Sequence, residues 1–402
     1  MLTVLLFILI LGILVIVHEC GHFIMARCFK IQVYEFGFGF PPRAFGIYRD
    51  PVTKKMKFIY GKGKSDLKKT VSGDKQRDEF PSILWSFNWL PLGGFVRIKG
   101  ENGEEAQDVD SFGHHKAWKR ITVLVAGVTM NFLLAGVILG IGFMIGLPAD
   151  LSGGVENNAI IVENAHVVIQ QVQKNSPAEA AGLRFGDKIL RVEVAGEASA
   201  SAEPLIAPEI SSRDFIEYLQ AHSSEYFSMV IDRGGETIEK TLIPEFLDEG
   251  DEYPRIGIAL ADAGLIRYPW YIAVYKGFVA AFFGLLNIFI AFYYLIKNLL
   301  MGQGLLFDVA GPVGIATIVG QSAKLGFNYV LNVAAMLSLS LAAINILPIP
   351  ALDGGRVLFV VIEKIIGRPV SMKHEQLAHT IGFVLLMALI VVVTFRDIVG
   401  LF

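Results

Sequence analysis

Hydrophobic positions along this chain gather into five long runs free of Asp, Glu, Lys and Arg: Met1 to Val17, Ile121 to Leu147, Gly277 to Ile296, Leu325 to Leu352 and Gln376 to Phe395. A helix of about 18 or more such residues is long enough to cross a hydrocarbon core of roughly 30 Å. The pattern therefore predicts an integral membrane protein with helices at these places. The first helix is expected over about Leu2 to Ala26. It lacks a positive stretch ahead of it and a small-x-small cleavage site before His18-Glu19, so it is read as a retained span with its N-terminus outside.

The stretches between the runs carry other signals. Tyr34-Glu35-Phe36-Gly37-Phe38-Gly39-Phe40-Pro41-Pro42 alternates aromatic residues with glycine, which favours extended chain, and Lys57 to Tyr60 offers a partner strand, so a hairpin is expected there. Pro91 to Ile98 is a second extended piece, followed by an acidic loop from Glu101 to Asp110 and a span from Ala117 to the Gly146-Leu147-Pro148 breaker. Between Ala165 and Ala261 the composition turns soluble. Strand-like VVIQQV, ILRVEV and FSMVID, short helices over Ala178 to Gly182 and Arg213 to Gln220, and a turn at Arg233-Gly234-Gly235 make one small α/β domain, with Gly196 to Pro208 as an exposed loop.

Composition narrows the class. With 53% of residues apolar and 18% charged, the balance rules out a disordered chain and argues against an ordinary cytosolic enzyme. The net charge of -3 hides an asymmetry: Arg27 to Arg120 holds 18 Lys or Arg against 11 Asp or Glu, and Asp150 to Trp270 holds 9 against 21. Positive-inside bias puts the first segment in the cytoplasm and the second outside. The lysines at 54, 55, 57, 62, 64, 68 and 69 lie in a Gly-interrupted stretch without a stacking motif, so no nucleic-acid partner is expected. Cys20 and Cys28 fit neither a zinc knuckle nor a disulfide framework and are read as inert.

Two constellations carry chemistry. His18-Glu19-Cys20-Gly21-His22 is an H-E-x-x-H pattern in an apolar helix. Residues four apart share a helix face, so both imidazoles can bind one zinc ion, with Glu19 placed as the base that takes the proton of the attacking water. Three ionisable residues at membrane depth are costly and mark function by default. The second is Asn345-Ile346-Leu347-Pro348-Ile349-Pro350-Ala351-Leu352-Asp353-Gly354-Gly355-Arg356, where two prolines break a helix inside the membrane. Catalytic zinc takes three protein ligands and keeps one position open; the histidine pair leaves one ligand missing, and Asp353 supplies it. If His18 and Asp353 share a site, the Gly277 to Ile296 run must lie along the outer interface or re-enter, leaving about four spans; its Phe and Tyr content suits that position. His114, His115, His166, His222, His374 and His379 have no partner at metal-ligand spacing and are expected at the surface or interface; Gly39, Gly93 and Gly94 are expected to serve turns and close strand packing.

At these residues the chain resembles the site-2 proteases, intramembrane zinc metalloproteases, in their bacterial, RseP-like branch. HECGH looks like the family's HExxH, PLGGFVRIKGE like its cytoplasmic PLGGY-type segment, AGVTMNF like its GPxxN element, and NILPIPALDGG like its NxxPxPxLDGG motif. Gly127-Val128 stands where the family usually has Gly-Pro, with Asn131 retained, and Arg356 replaces a commoner His. Asn131 is read equally as a helix–helix hydrogen-bonding residue or as a neighbour of the catalytic centre. The resemblance implies His18, His22 and Asp353 as zinc ligands, Glu19 as general base, and Asn345 as a residue that holds the substrate strand or polarises its carbonyl. Asn175 to Val192 is similar to the signature of bacterial PDZ domains, of which one is found where much of the family has two. That likeness implies a groove for a peptide C-terminus or strand, with Gly257 and Ile258 in the carboxylate loop, or a domain serving only as a steric filter.

The expected fold is thus a polytopic α-helical membrane protein of about four transmembrane helices, with a cytoplasmic β-hairpin region and one inserted α/β PDZ domain. The divisions are 1–30 (first helix), 31–116 (cytoplasmic membrane-associated region), 117–148 (second helix), 160–262 (extracytoplasmic PDZ domain), 263–325 (interfacial or re-entrant helix and connector), 326–368 (helix with the Pro-x-Pro motif) and 375–402 (last helix). The expected activity is Zn2+-dependent hydrolysis of peptide bonds within membrane segments of single-span proteins in a bacterial inner membrane, with the active site toward the cytoplasm. Anti-sigma factors trimmed outside and remnant signal peptides are the substrates the resemblance implies. Two other classes stand beside it: a non-catalytic PDZ-bearing scaffold, which would need no metal, and a zinc transporter, which usually shows internal repeats that this chain lacks.

Overall fold

The architecture is that of a computed structural model, which describes residues 2–399 apart from 52, 62–79, 81, 104–106, 153–157, 196–202, 208–210, 248–251, 303–309 and 369. The chain divides into two compact units, Met1–Ile138 with Phe278–Ala323 and Val333–Phe402, and Leu139–Gly277 with Lys324–Asn332.

The first unit is built on long apolar helices. α1 (Leu2–Cys28) is followed by strands β1 (Val33–Arg49), β2 (Met56–Tyr60) and β3 (Leu84–Ile98), and then by α2 (Ala117–Ile145). After the strands of the second unit come α5 (Trp270–Met301), α6 (Pro312–Leu325), α7 (Phe327–Ile346), α8 (Asp353–Ile366) and α9 (Met372–Val399). Among the described residues, α1, α2, α5, α7 and α9 are each long and apolar enough to cross a membrane. The chain is a multi-pass membrane protein. α2 has 44% of its apolar window buried against 6% for α5 and α9, which makes α2 the inner helix and leaves the other two presenting apolar side chains outward, as lipid contact requires.

The hairpin forms, with a different pairing from the one the alternation suggests. β2 pairs antiparallel with the later half of β1, Phe45 opposite Tyr60 and Arg49 opposite Met56. The aromatic–glycine half of β1 pairs with β3 instead, and both long strands fold back so that Phe36 has Val96 on one side and Trp85 on the other. The sheet order is β2-β1-β3. Glycines permit the fold-back: Gly39 and Gly93 hold φ of +78° and +99°, and the Phe40 ring lies over Gly93 where a side chain would stand. The lysines at 62, 64, 68 and 69 and part of the acidic loop lie outside the described residues.

The Pro-x-Pro segment is not one helix through to residue 368. α7 stops at Ile346, where Pro348 and Pro350 cannot continue it, and α8 restarts at Asp353. Gly354 and Gly355 make the restart possible. A Cβ on Gly354 would lie 2.5 Å from the Ile346 carbonyl carbon, and one on Gly355 2.8 Å from that of Ile349, so α8 begins directly against the backbone it has just left.

The second unit is a seven-stranded sheet in the order β4-β10-β5-β6-β8-β9, with β7 paired to β6. Its strands are β4 (Leu147–Asp150), β5 (Ile160–Val172), β6 (Lys188–Val194), β7 (Leu205–Ile206), β8 (Phe227–Arg233), β9 (Glu236–Leu242) and β10 (Ile258–Arg267), with α3 (Pro177–Ala180) and α4 (Ser212–Ala221) packed on them. Strand pairing of β4 with β10 carries the sheet to both ends of the segment, beyond the soluble stretch visible by composition. β7 lies within the tract expected to be a loop; most of the rest of that tract is outside the described residues. The core is apolar and fully closed, around Ile169, Ile189, Phe215, Phe227, Met229 and Ile231. Buried Asp187 ties it together, accepting both Arg233 Nε and Nη2 at 2.7 Å and the Arg184 amide at 2.8 Å.

Candidate metal centre

α1 sets two imidazoles one turn apart, and the start of α8 brings a carboxylate to them. His18 and His22 are buried, 7% and 8% exposed. Asp353 Oδ2 lies 3.0 Å from His18 Nε2 and 3.2 Å from His22 Nε2, and the two Nε2 atoms are 3.2 Å apart. A tetrahedral zinc holding nitrogen and oxygen at about 2.0–2.2 Å needs donor atoms about 3.3–3.5 Å apart, so the triangle is within a few tenths of an ångström of the zinc requirement. Among the described residues this is the one cluster of three side chains that could hold a metal ion.

α2 supplies the support. His22 Nδ1 is 2.8 Å from the Val123 carbonyl, which can only accept; that contact puts the proton on Nδ1 and leaves Nε2 free as a candidate ligand atom. One turn later a Cβ on Gly127 would stand 2.5 Å from His22 Nε2 and 2.7 Å from His18 Nε2, so room beside both donor atoms exists because residue 127 has no side chain. A turn further, the Asn131 amide lies 3.3 Å from His18 Nδ1. Gly21 of α1 completes the close approach, its Cα facing the Ala126 backbone.

Glu19 is half-buried and lines a cleft of about 570 Å³ with His22, Asp353, Phe95, Arg356 and His379. Gly94 of β3 packs on it, since a Cβ there would be 3.3 Å from Glu19 Cγ. The three candidate ligands and Glu19 are therefore brought together. Asn345 stands half-buried in the last turn of α7 and is not part of the cleft lining. Gly257 and Ile258 lie in the second unit, along a separate cavity of about 570 Å³ bordered by α4 and the start of β10.

Sequence reasoning missed His379. Rather than facing outward, it is half-buried in the cleft and its Nδ1 accepts the Ala351 N–H at 2.9 Å. Ala351 has φ of +83°, a conformation that L residues rarely adopt, two positions before Asp353. Nothing in the His379 neighbourhood of the sequence signals this contact, because the partner is a backbone amide about 30 residues away. Val123 escaped notice for the same reason, since it acts through its carbonyl.

A helix-borne histidine pair, a carboxylate closing the ligand triangle and a glutamate in the same cleft, all carried by apolar helices, define an intramembrane zinc hydrolase site. The sequence pattern described as Peptidase family M50 matches residues 6–70 and 74–389. A zinc metalloprotease RasP of Bacillus licheniformis is 30% identical over 456 residues, covering 100% of this chain and 99% of its own. RasP of Oceanobacillus iheyensis is 29% identical over 462 residues, with 100% of both chains covered, and a candidate zinc metalloprotease of Clostridium perfringens is 32% identical over 388 residues, covering 96% and 95%. The chain belongs to peptidase family M50, the site-2 protease type. It is a zinc-dependent metalloprotease of the membrane, and its substrates are proteins.

Proposed function

We propose that the protein hydrolyses peptide bonds within the membrane segments of single-span proteins, using His18, His22 and Asp353 as zinc ligands and Glu19 as general base. The convergence of Oδ2 of Asp353 with both Nε2 atoms, 3.0 and 3.2 Å away, carries this reading. When bound, zinc supplies Lewis-acid polarisation and lowers the pKa of water. Glu19 takes the proton of the attacking water and returns it to the leaving amine. A helical substrate hides its carbonyls in its own hydrogen bonds, so it must open before attack. Phe40 and Phe95, which line the cleft from β1 and β3, hold the extended chain, and Asn345, outside that lining in the last turn of α7, meets the substrate strand beyond it.

Four crossings, α1, α2, α7 and α9, fit the contacts better than five. Thr3 at the start of α1 lies against Gly320 of α6, and the Gly311 and Gly314 amides at the start of α6 bond Asp397 at the end of α9, at 3.2 and 2.7 Å. These are the ends of α1 and α9 away from the metal centre, so the chain is on that side again shortly after α5. In this reading α5 lies along the outer interface or re-enters, the centre faces the cytoplasm of a bacterial inner membrane, and residues 160–262 form an extracytoplasmic PDZ domain. Among the described residues β4 pairs with Ala263–Ile266 of β10, and a groove runs along α4 beside Gly257 and Ile258. That edge suits an added strand or a peptide C-terminus, such as the end left on an anti-sigma factor trimmed outside, or it suits a filter against untrimmed proteins.

The test is cleavage of a tagged single-span protein and of a remnant signal peptide by full-length enzyme in membranes, with bound zinc assayed on the same preparations. Wild type cuts within the span, Glu19→Gln keeps zinc without cutting, and Asp353→Ala loses both. Cleavage retained by Glu19→Gln would overturn the assignment.

A further inference from the structure

A neutral histidine has one N–H. A ring nitrogen that binds a metal offers its lone pair, so the proton sits on the other nitrogen, which must then find an acceptor. His22 meets this rule at the Val123 carbonyl, 2.8 Å from Nδ1. His18 has no carbonyl there. Its Nδ1 faces the Asn131 side chain at 3.3 Å, with the amide nitrogen turned toward it, while Asn131 Oδ1 is buried with no partner among the described residues. In that orientation the amide donates to Nδ1 and the ring proton is driven to Nε2, the atom that must be bare to ligate. Turning the amide by 180° exchanges two atoms of nearly equal size and moves nothing else. Either orientation leaves the outer half of the amide without a partner, so the side facing His18 decides.

We infer that Asn131 is the positioning residue of His18, its Oδ1 accepting the Nδ1–H and thereby fixing the tautomer and ring angle in which Nε2 binds zinc. The inference rests on His18 being a zinc ligand. Asn131 is well suited to the task. It is fully buried, and the Ser338 hydroxyl of α7 meets its backbone carbonyl at 2.8 Å, which leaves the side chain to His18. Val123, Gly127 and Asn131, spaced by four, then form one strip of α2 serving both histidines: an acceptor for His22, a gap beside both rings, an acceptor for His18.

The experiment measures zinc affinity of the purified full-length protein by competition with a chromophoric chelator, together with the cobalt(II) spectrum of each variant. Asn131→Asp keeps an acceptor oxygen in the same shape, and Asn131→Leu keeps the volume without one. Ser338→Ala breaks the α7–α2 bond without touching His18. The expected result is a loss of about 10- to 100-fold in affinity with an altered cobalt spectrum for Asn131→Leu, and affinity near wild type for Asn131→Asp and Ser338→Ala. Should Asn131→Leu fail to fold, Asn131→Ala takes its place in the same comparison. Wild-type affinity in Asn131→Leu, or an equal loss in Asn131→Asp, overturns the inference while leaving the ligand assignment standing. Absence of stoichiometric zinc in the wild type would instead overturn that assignment and the inference with it.

Discussion

Gly127→Ala is the smallest change that should disable the metal centre without touching a ligand. The added Cβ would stand 2.5 Å from His22 Nε2 and 2.7 Å from His18 Nε2 and Cε1. Ordinary carbon–nitrogen contacts are about 3.5 Å, so the rings or the helix must give by about 0.8–1.0 Å. Little can yield: His22 is held by the Val123 carbonyl on the same helix, and Gly21 already sits against the Ala126 backbone. Metal sites tolerate about 0.2 Å in ligand distance. Overpacking of this kind costs about 1–3 kcal/mol, and where the loaded state bears the cost zinc binds about 5- to 150-fold more weakly. Zinc competition and single-span cleavage on matched preparations read this directly. Gly12→Ala on α1, where nothing lies within 4 Å of the added Cβ, serves as the control and should bind zinc as wild type does. A folded Gly127→Ala protein with wild-type zinc affinity would refute the claim that α2 shapes the site by leaving this space.

Three further outcomes follow from the same geometry. His379→Ala leaves the Ala351 N–H without its acceptor, which costs about 1–3 kcal/mol and should lower both Tm and zinc affinity, because the turn it holds presents Asp353. Asp397→Ala removes the carboxylate that caps Gly311 and Gly314; the loss should be about 0.5–2 kcal/mol in Tm-derived stability with zinc binding intact. Asp187→Ala, which strands Arg233 beside a closed core, should destabilise the second unit by about 2–4 kcal/mol, seen as early proteolysis within residues 160–262 while zinc content stays at the wild-type level.

The histidine pair was legible because helical periodicity alone puts residues four apart on one face, and Asp353 because two prolines and an unpaired charge in an apolar run have few physical explanations. The five apolar helices were legible for the same reason. What stayed hidden acts through the backbone or through absence. Val123 contributes a carbonyl, Gly127 an empty volume, and His379 a lone pair for an amide remote in sequence. None of these alters composition or period. The pairing of β1 was hidden for another reason. A strand of 17 residues that bends at glycine satisfies two partners, so the alternation around Phe36 fixes which side faces in but not which strand lies beside it.

The β-rich region beside α1 reaches the candidate centre and lines its cleft. Arg356 stands one turn beyond Asp353 on α8, and a free guanidinium there would compete with a metal ion for the carboxylates of Asp353 and Glu19. It is paired instead with Glu101, from the segment that follows β3. The same strand presents Gly94 to Glu19. β3 and the segment after it therefore both reach the centre, Gly94 packing against Glu19 and Glu101 holding the Arg356 guanidinium. The cleft that results has two kinds of lining: Glu19, Arg356, His379 and Thr380, which water can solvate, and Phe40, Phe95 and Phe383, which it cannot. Hydrolysis at membrane depth needs both, since water must reach the bond while the rest of the substrate stays in an apolar setting. The three candidate ligands alone would offer a metal its donors; the proposed hydrolysis of a peptide needs this cleft as well.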